Sequence, residues 1–353
     1  MALDHKGYIW IIMGNIMDIR NMRIKPEMVR LIGEIDEFKG AWRAYQNLAP
    51  DRLNLLRKVA TVESVASSTR IEGAKLSDGE VGRLLAGAGV KHFRSRDEQE
   101  VAGYAEAMDL VFESFADIPV TENHIKQLHQ ILLKYSSKDA RHRGEYKKLP
   151  NNVEAFDAGG KSAGIVFETA SPFDTPRKMK DLVEWFSAAV KESEQHVLVL
   201  TAVFIVNFLA IHPFQDGNGR LSRILTTLLL LKAGYLYVPY ASLERVIEEN
   251  KSGYYMALRR AQATLCTDNS RIGDWILFFL RSLKKQIQVL ERKLQHEKDM
   301  LAIPVLSQDI IVAAREHGRI TVRDIQRLTG ANRNTIKVHL KRLVQLRRLT
   351  QEG

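Results

Sequence analysis

The chain has 353 residues, which at roughly 150 residues per domain implies two to three domains and excludes small stapled folds. Apolar residues make up 45% and charged residues 27%, with 22 glycines and 9 prolines, so packed cores are affordable and a collagenous or mostly disordered chain is excluded. Lys and Arg number 52 against 42 Asp and Glu, a net +10, which raises the question of phosphate-bearing partners. The single cysteine, Cys266, rules out an internal disulfide and a thiolate zinc cluster, and reads as an inert, partly buried thiol. An apolar run from Tyr8 to Met17 leads into Asp18 and Arg20. It is too short to span a bilayer and lacks a basic leader, so a cytoplasmic protein without membrane contact is expected.

In chain order, the spacing of Met28, Leu31, Ile32, Ile35, Phe38 and Trp42 predicts a helix over 27–45, ended by Pro50. A second helix is expected from about Asp51 to Glu72, then a tight connection over 73–76. Ser77 and Glu80 have the spacing of a capping box and open the next helix. Further helices are predicted over 97–114, 121–134, 175–191 (with Thr175 as N-cap before Pro176), 196–210, 217–232, 243–264 and 272–300. The stretch 144–173 differs. It carries Pro150, Asn151, Asn152 and a run of small residues over 157–164, the pattern of a β-hairpin or flap inside a helical domain. Leucine and isoleucine at 280, 283, 287, 290 and 294 keep the seam spacing of a coiled coil for about two heptads, which also suits a linker helix packed on one domain.

From Ser307 the pattern becomes three short helices, 309–316, 321–328 and 333–346. Thr321 serves as an N-cap, Thr329-Gly330 as a turn, and Asn332 or Asn334 as a cap, around a small core of Val322, Ile325, Leu328, Ile336, Leu340 and Leu343. The arrangement resembles a winged helix-turn-helix, which places its second motif helix in the DNA major groove. Arg333, Asn334, Thr335 and Lys337 would then be the DNA contacts, with Lys341, Arg342, Arg347 and Arg348 nearby. Only a few residues follow Leu349, which leaves little chain for a wing. A protein-interaction module with a solvated basic face is the competing reading.

The segment that carries chemistry is His212 to Arg223, HPFQDGNGRLSR. The nearly continuous apolar run before it describes a buried helix delivering a histidine to its end. Gly217, Asn218 and Gly219 allow a sharp turn into the next helix, whose first amides and positive dipole end favour an anion. Arg220 and Arg223, three apart, lie on neighbouring faces of that helix and could converge on one polyphosphate. Asp216 is a hard carboxylate suited to Mg²⁺ shared with phosphate oxygens, and His212 is a natural proton acceptor near neutral pH. Together these parts suit nucleotidyl or phosphoryl transfer.

The string resembles the Fic family signature, HxFx(D/E)GNGRxxR, at every fixed position. The resemblance implies a mainly α fold, a Fic-type helical domain with a β-hairpin flap, and transfer of AMP from ATP to a Ser, Thr or Tyr hydroxyl of a target protein or of the chain itself. On it, His212 is the base, Asp216 holds Mg²⁺, Gly217, Asn218 and Gly219 form the anion hole, and Arg220 and Arg223 bind the outer phosphates. Phe214 anchors the loop. Gly219 is intact, whereas family members that act as kinases bring in a lysine there, so AMP transfer is favoured over phosphorylation. The flap at about 144–173 would take a target segment as an added strand, and Asn250, Tyr254 and Tyr255 would close over adenine. Ser68 to Gly73, STRIEG, matches the family's inhibitory motif (S/T)xxxE(G/N). Ser68 and Glu72 share a helix face, and the resemblance pairs Glu72 with Arg223, where a carboxylate would stand in the place of the γ-phosphate. Relatives can also remove AMP, so net removal is an alternative, as is a nucleotide-sensing DNA-binding regulator. The expected organisation is an N-terminal helical region (1–95) with the inhibitory helix at 51–73, a catalytic core (96–275), a linker helix (276–306) and a winged helix-turn-helix-like domain (307–353). A homodimer, through the Fic domain or the 280–294 seam, and DNA bound at 307–353 are the further partners to test.

Overall fold

A computed structural model of the chain describes residues 24–45, 50–87, 93–151, 153–156, 162–192, 194–265, 267, 270–301, 304–345 and 348–351. The apolar run at 8–17 and Cys266 lie outside the described residues. The chain forms two compact units, Met1–Val289 and Leu290–Gly353. Among the described residues, no helix is long and apolar enough to cross a membrane.

The first unit opens with α1 (Pro26–Tyr45), which buries Met28, Leu31, Ile35, Phe38 and Trp42, the stripe its spacing predicts. Phe38 meets Tyr237 edge-on at 5.1 Å and Trp42 meets Tyr240 at 4.9 Å, so the helix is fixed by aromatic packing. Next come α2 (Pro50–Ile71) and α3 (Asp78–Ala86), with the capping box of Ser77 and Glu80 formed in both directions. Then follow α4 (Arg96–Ser114), capped by Ser95, and α5 (Glu122–Leu132), capped by Thr121. Gly103 lets α4 cross α5 closely, because any side chain there would run into the Leu132 carbonyl. Strands β1 (Val153–Phe156) and β2 (Ser162–Phe167) pair antiparallel with two register shifts.

Next is α6 (Thr175–Glu192). Thr175 is its first helical residue rather than its cap: it is buried, and its hydroxyl donates to the Ser171 carbonyl. The Ser171 hydroxyl instead accepts from the Asp174 amide. The central pair is α7 (Val197–Ile211) and α8 (Asn218–Lys232). Helix α7 is apolar all round and buried almost throughout, as a helix packed by α6, α8 and α10 (Lys251–Gln262) on several sides must be. The helix expected over 243–264 is two, α9 (Leu243–Glu249) and α10, broken at Asn250 (φ −124°, ψ 42°). The Asn250 side chain lies over Gly253, where a Cβ would collide with it. Helix α11 (Ile272–Leu301) is pinned to α7 by Trp275, whose indole N–H donates to the Ala202 carbonyl at 2.8 Å.

The second unit holds α12 (Val305–His317), α13 (Val322–Thr329) and α14 (Arg333–Gln345). Ile310, Ile311, Ala313, Ile325, Ile336 and Leu343 form its core, with Leu306, Ile320, Val322, Ala331, Leu340 and Leu349 packed on it. Leu328, expected in that core, is 60% exposed and lies outside it. Thr321 caps α13 with a capping box, and Gly330 ends it in the left-handed conformation (φ 67°). Among the described residues no strand follows α14.

Leu225 sits at the centre of α8 with no exposed surface. Leu225→Ala is expected to lower unfolding stability by about 3 kcal/mol, read as a shifted midpoint in urea with an unchanged slope, whereas Ser77→Ala should cost only about 1 kcal/mol.

Candidate active site

Helix α7 ends on His212 in the left-handed conformation (φ 52°, ψ 59°), and among the described residues it is the one position other than glycine with positive φ. Such a backbone costs on the order of 1 kcal/mol or more and persists only where its surroundings impose it. Here they do. The His212 amide donates to the Phe208 carbonyl at 2.9 Å, Pro213 follows, and the carbonyls of His212 and Phe214 both accept from the Asn151 amide group, at 3.3 and 2.6 Å. Phe214 is fully buried and stacked on the His129 ring, with centroids 3.8 Å apart and planes 14° apart.

Asn218 closes the loop from the other side. Its side chain accepts from the Phe214 amide at 2.9 Å and donates to the Phe214 carbonyl at 2.7 Å, so it staples the turn and is not free for an anion. Gly217 (φ 80°) is the N-cap of α8 and supplies no side-chain cap, which leaves the first amides of the helix for a ligand. The glycine permits both the positive φ and the close approach of His129 and Leu132.

The charged residues are paired rather than free. Asp216 accepts from the Gly217 amide at 2.6 Å and from Arg220 at 3.3 Å through one oxygen, and from Arg96 at 3.1 Å through the other. Burial alone would raise its pKa, but Arg220, the Gly217 amide, Arg96 and Lys138 together hold it below the usual carboxylate value. Arg220, almost wholly buried, also faces Glu100 at 3.0 Å. Arg223 donates through Nε to the Ser68 hydroxyl at 2.8 Å, and through Nη2 to the Ser68 carbonyl at 3.0 Å and to Glu72 at 2.7 Å. Its Nη1 is buried without a partner. The Glu72 carboxylate lies against the Cα of Gly219, and a side chain there would collide with it. The end of α2 that carries this carboxylate is itself braced. Arg70 forks onto Glu248 of α9 at 2.6 and 2.9 Å and donates to the Leu76 carbonyl at 3.0 Å.

His212 is partly open to a cavity of about 340 Å³, within the range of small-ligand sites. Burial, then the charge of Lys147, pushes its imidazole down to about 4, so it is neutral at pH 7. Its Nδ1 is 3.4 Å from the Leu209 carbonyl, which places the proton there and leaves Nε2 as the acceptor. Lys147 itself is buried and pushed down to about 8, while its ammonium donates to Asn151, Thr169 and the Ile211 carbonyl.

The cavity brings together Glu72, His212, Asp216, Gly217, Asn218, Gly219, Arg220, Arg223, Tyr254 and Tyr255. Asn250 is exposed and is not among the lining residues, because its side chain turns back onto Gly253. Tyr254 is buried and packs edge-on against both Tyr255, at 5.1 Å, and Trp275, at 5.7 Å. Leu258, Arg259 and Gln262 also line the cavity and were missed in the sequence. Their spacing from Tyr255 along α10 puts them on its face, a signal visible only once that face is known. His129, Asn151 and Arg96 were missed as well, since each is far in sequence from the motif it touches.

Among the described residues, no group of three or more His, Cys, Asp or Glu could hold a metal ion. A single, partly exposed Asp216 beside an uncapped helix start fits Mg²⁺ only as a shared ligand with phosphate oxygens, which is how that ion is usually bound.

Residues 119–230 match the Fic/DOC family. A 32% identical stretch of 99 residues, 28% of each chain, matches a probable protein adenylyltransferase of Aquifex aeolicus. A protein adenylyltransferase Fic of Drosophila mojavensis is 27% identical over 256 residues, 70% of this chain and 46% of that protein. The chain thus spans less than half the length of these curated relatives. In fold it is similar to a Fic domain containing signaling protein from Bacteroides thetaiotaomicron, with TM-score 0.61 and 24% identity over 76% of this chain and 97% of the other. A Fic family protein from Desulfovibrio desulfuricans gives TM-score 0.60 and 24% identity over 92% and 90%.

The contact of Glu72 with Gly219 yields a test on stability alone. Gly219→Ala is expected to cost about 1–2 kcal/mol in the chain as it stands and far less in a Glu72→Gly background. Denaturation of the two single variants and the double variant reads the coupling; additive costs would mean that Glu72 does not lie on Gly219 in solution.

Proposed function

We propose that the chain is a protein adenylyltransferase that moves AMP from ATP to a hydroxyl of a target protein, and that Glu72 holds it inactive. The observation that carries this reading is the Glu72 carboxylate paired with Arg223 above Gly219, an anion already seated where a phosphate would need the guanidinium and the helix start. His212, neutral at pH 7 with Nε2 free, takes the proton of the incoming Ser, Thr or Tyr hydroxyl. The oxygen then bonds to the α-phosphorus in line, the bond from that phosphorus to the bridging oxygen breaks, and pyrophosphate leaves. Asn218 and Gly219 offer backbone amides to the phosphates, joined by Gly217 once its amide leaves the Asp216 carboxylate, and Arg220 and Arg223 bind the outer ones after exchanging their carboxylate partners. Mg²⁺ at Asp216 would supply charge neutralisation between phosphates. Tyr254 and Tyr255 stand where adenine would pack, with Leu258 from the next turn of α10. The β1–β2 hairpin is read as the flap that takes the target segment as an added strand.

Intramolecular pairing gives Glu72 a high effective concentration, so it competes with the nucleotide without needing a strong contact. Glu72→Gly should therefore raise AMP transfer at least about tenfold, and His212→Ala in that background should abolish it. Intact-mass spectrometry after incubation with ATP and Mg²⁺ reads the adduct; equal labelling of wild type and Glu72→Gly would remove the inhibitory role of Glu72.

A second reading, DNA binding by the C-terminal unit, is favoured by one feature of α14. Ile336 and Leu343 turn into the core, while Arg333, Asn334, Thr335, Lys337, Val338, Lys341 and Arg342 are exposed. A helix held on one side and presenting cations and amides on the other suits a major groove. Arg333→Ala with Lys337→Ala is expected to weaken binding of the full chain to duplex DNA about tenfold or more and to flatten its salt dependence. An identical isotherm for both proteins in a salt series would sink this reading.

A further inference from the structure

His129 plays no part in the motif and lies 83 residues before His212 in the sequence, yet it is fully buried against the catalytic loop. Three contacts define it. Its ring stacks on Phe214 at 3.8 Å. Its Nδ1 accepts from the Gly144 amide at 2.9 Å, which forces the proton onto Nε2. Its Nε2–H then meets the Asp216 carbonyl at 3.0 Å. One imidazole in one tautomer thus touches the loop at both sides of Gln215, through the anchor ring and through the backbone of the carboxylate residue.

We propose that His129 is the positioning residue of the catalytic loop, fixing Phe214 and the Asp216 backbone so that His212 and the start of α8 keep a single relative placement. Gly144 sets His129 in turn. It has φ +73°, and a Cβ there would press on the Lys126 carbonyl at 3.3 Å and the Gln130 Cβ at 3.4 Å. The chain of contacts runs from α5 and the segment leading to the hairpin, through the imidazole, to the loop. No other side chain meets both Phe214 by stacking and Asp216 by hydrogen bonding among the described residues. A hydrophobic filler of the same size would keep the core closed and lose the aim.

Two substitutions separate the parts of the role. His129→Phe keeps the stack and removes both hydrogen bonds; His129→Gln keeps a donor and an acceptor and removes the stack. Amide hydrogen exchange of the full chain is read over 213–219, with α7 and the later turns of α8 as internal controls. His129→Phe is expected to speed exchange over 213–219 about tenfold or more with the controls unmoved, and His129→Gln to restore most of the protection. In a Glu72→Gly background the Phe variant should lower kcat for AMP transfer about tenfold to a hundredfold, while KM for ATP changes by less than about threefold, and Gln should rescue part of the loss. Unchanged loop exchange, or exchange raised equally in the controls, overturns the proposal. If the Phe variant does not fold, Gly144→Ala, which displaces the amide that sets the imidazole and leaves its ring in place, must raise the same loop exchange or the proposal is wrong. The catalytic arm rests on the adenylyltransferase reading. Absence of transfer by Glu72→Gly with His129 intact would defeat that reading alone, because the exchange result stands without it.

Discussion

The structure of the site turns on the buried guanidinium of Arg223. A charge taken out of water must be compensated where it sits, and this one is compensated from a single source, the end of α2. The Ser68 hydroxyl and carbonyl and the Glu72 carboxylate take three of its hydrogen bonds, and only the Glu72 partner lies towards the cavity, with its side chain 32% exposed. Ser68 is fully buried, whereas Glu72 lines the cavity. Any anion arriving at the start of α8 must either displace that carboxylate or stop short of Arg223. The pair that compensates the buried guanidinium therefore also borders the cavity.

That arrangement requires two rigid supports. The first is α7, buried on all sides, whose end carries His212 in a backbone conformation that a flexible loop would abandon. The second is the brace on α2, where Arg70 forks onto Glu248 and so ties the end that carries Glu72 to α9. Because α9 is followed directly by α10, which supplies Tyr254 and Tyr255 to the cavity, the element that braces Glu72 and the one that lines the cavity are neighbours in the chain. A change that frees Glu72 need not disturb the loop, since the loop is secured from α5 and Asn151 instead.

How far the sequence could be read follows from which forces act locally. Helix α1, the capping box at Ser77 and the apolar character of α7 were legible because periodicity and caps are properties of short windows. The motif at 212–223 was legible because its residue types and spacing are contiguous. The break at Asn250 was not, since the apolar pattern continues through it and the interruption shows only in the backbone angles of that one residue. The Thr175-Pro176 pair reads as a cap for a related reason: the dipeptide has the right composition, but the helix already includes Thr175, whose hydroxyl turns back to the Ser171 carbonyl. His129, Asn151 and Arg96 were invisible because their significance lies in contacts across 60 to 120 positions of sequence, which no window contains. Asn250 as an adenine contact was carried by resemblance alone, and its side chain points elsewhere.

Net charge gave the least reliable guide to the site. Residues 301–353 hold 10 Lys and Arg against 4 Asp and Glu, a net of 10 − 4 = +6, while residues 1–300 hold 42 against 38, a net of +4. The surplus thus concentrates in the second unit, where α14 exposes it to solvent. Around the 212–223 motif the charges are paired: Arg220 faces Glu100 and Asp216, Arg96 faces Asp216, and Arg223 faces Glu72. A site of paired charges draws little long-range attraction for an anion and discriminates at contact, by which pairs the ligand can exchange. A surface of unpaired cations does the opposite, attracting polyanions from a distance with little regard to their identity. The two units are built on opposite electrostatic principles, and composition registers only the second.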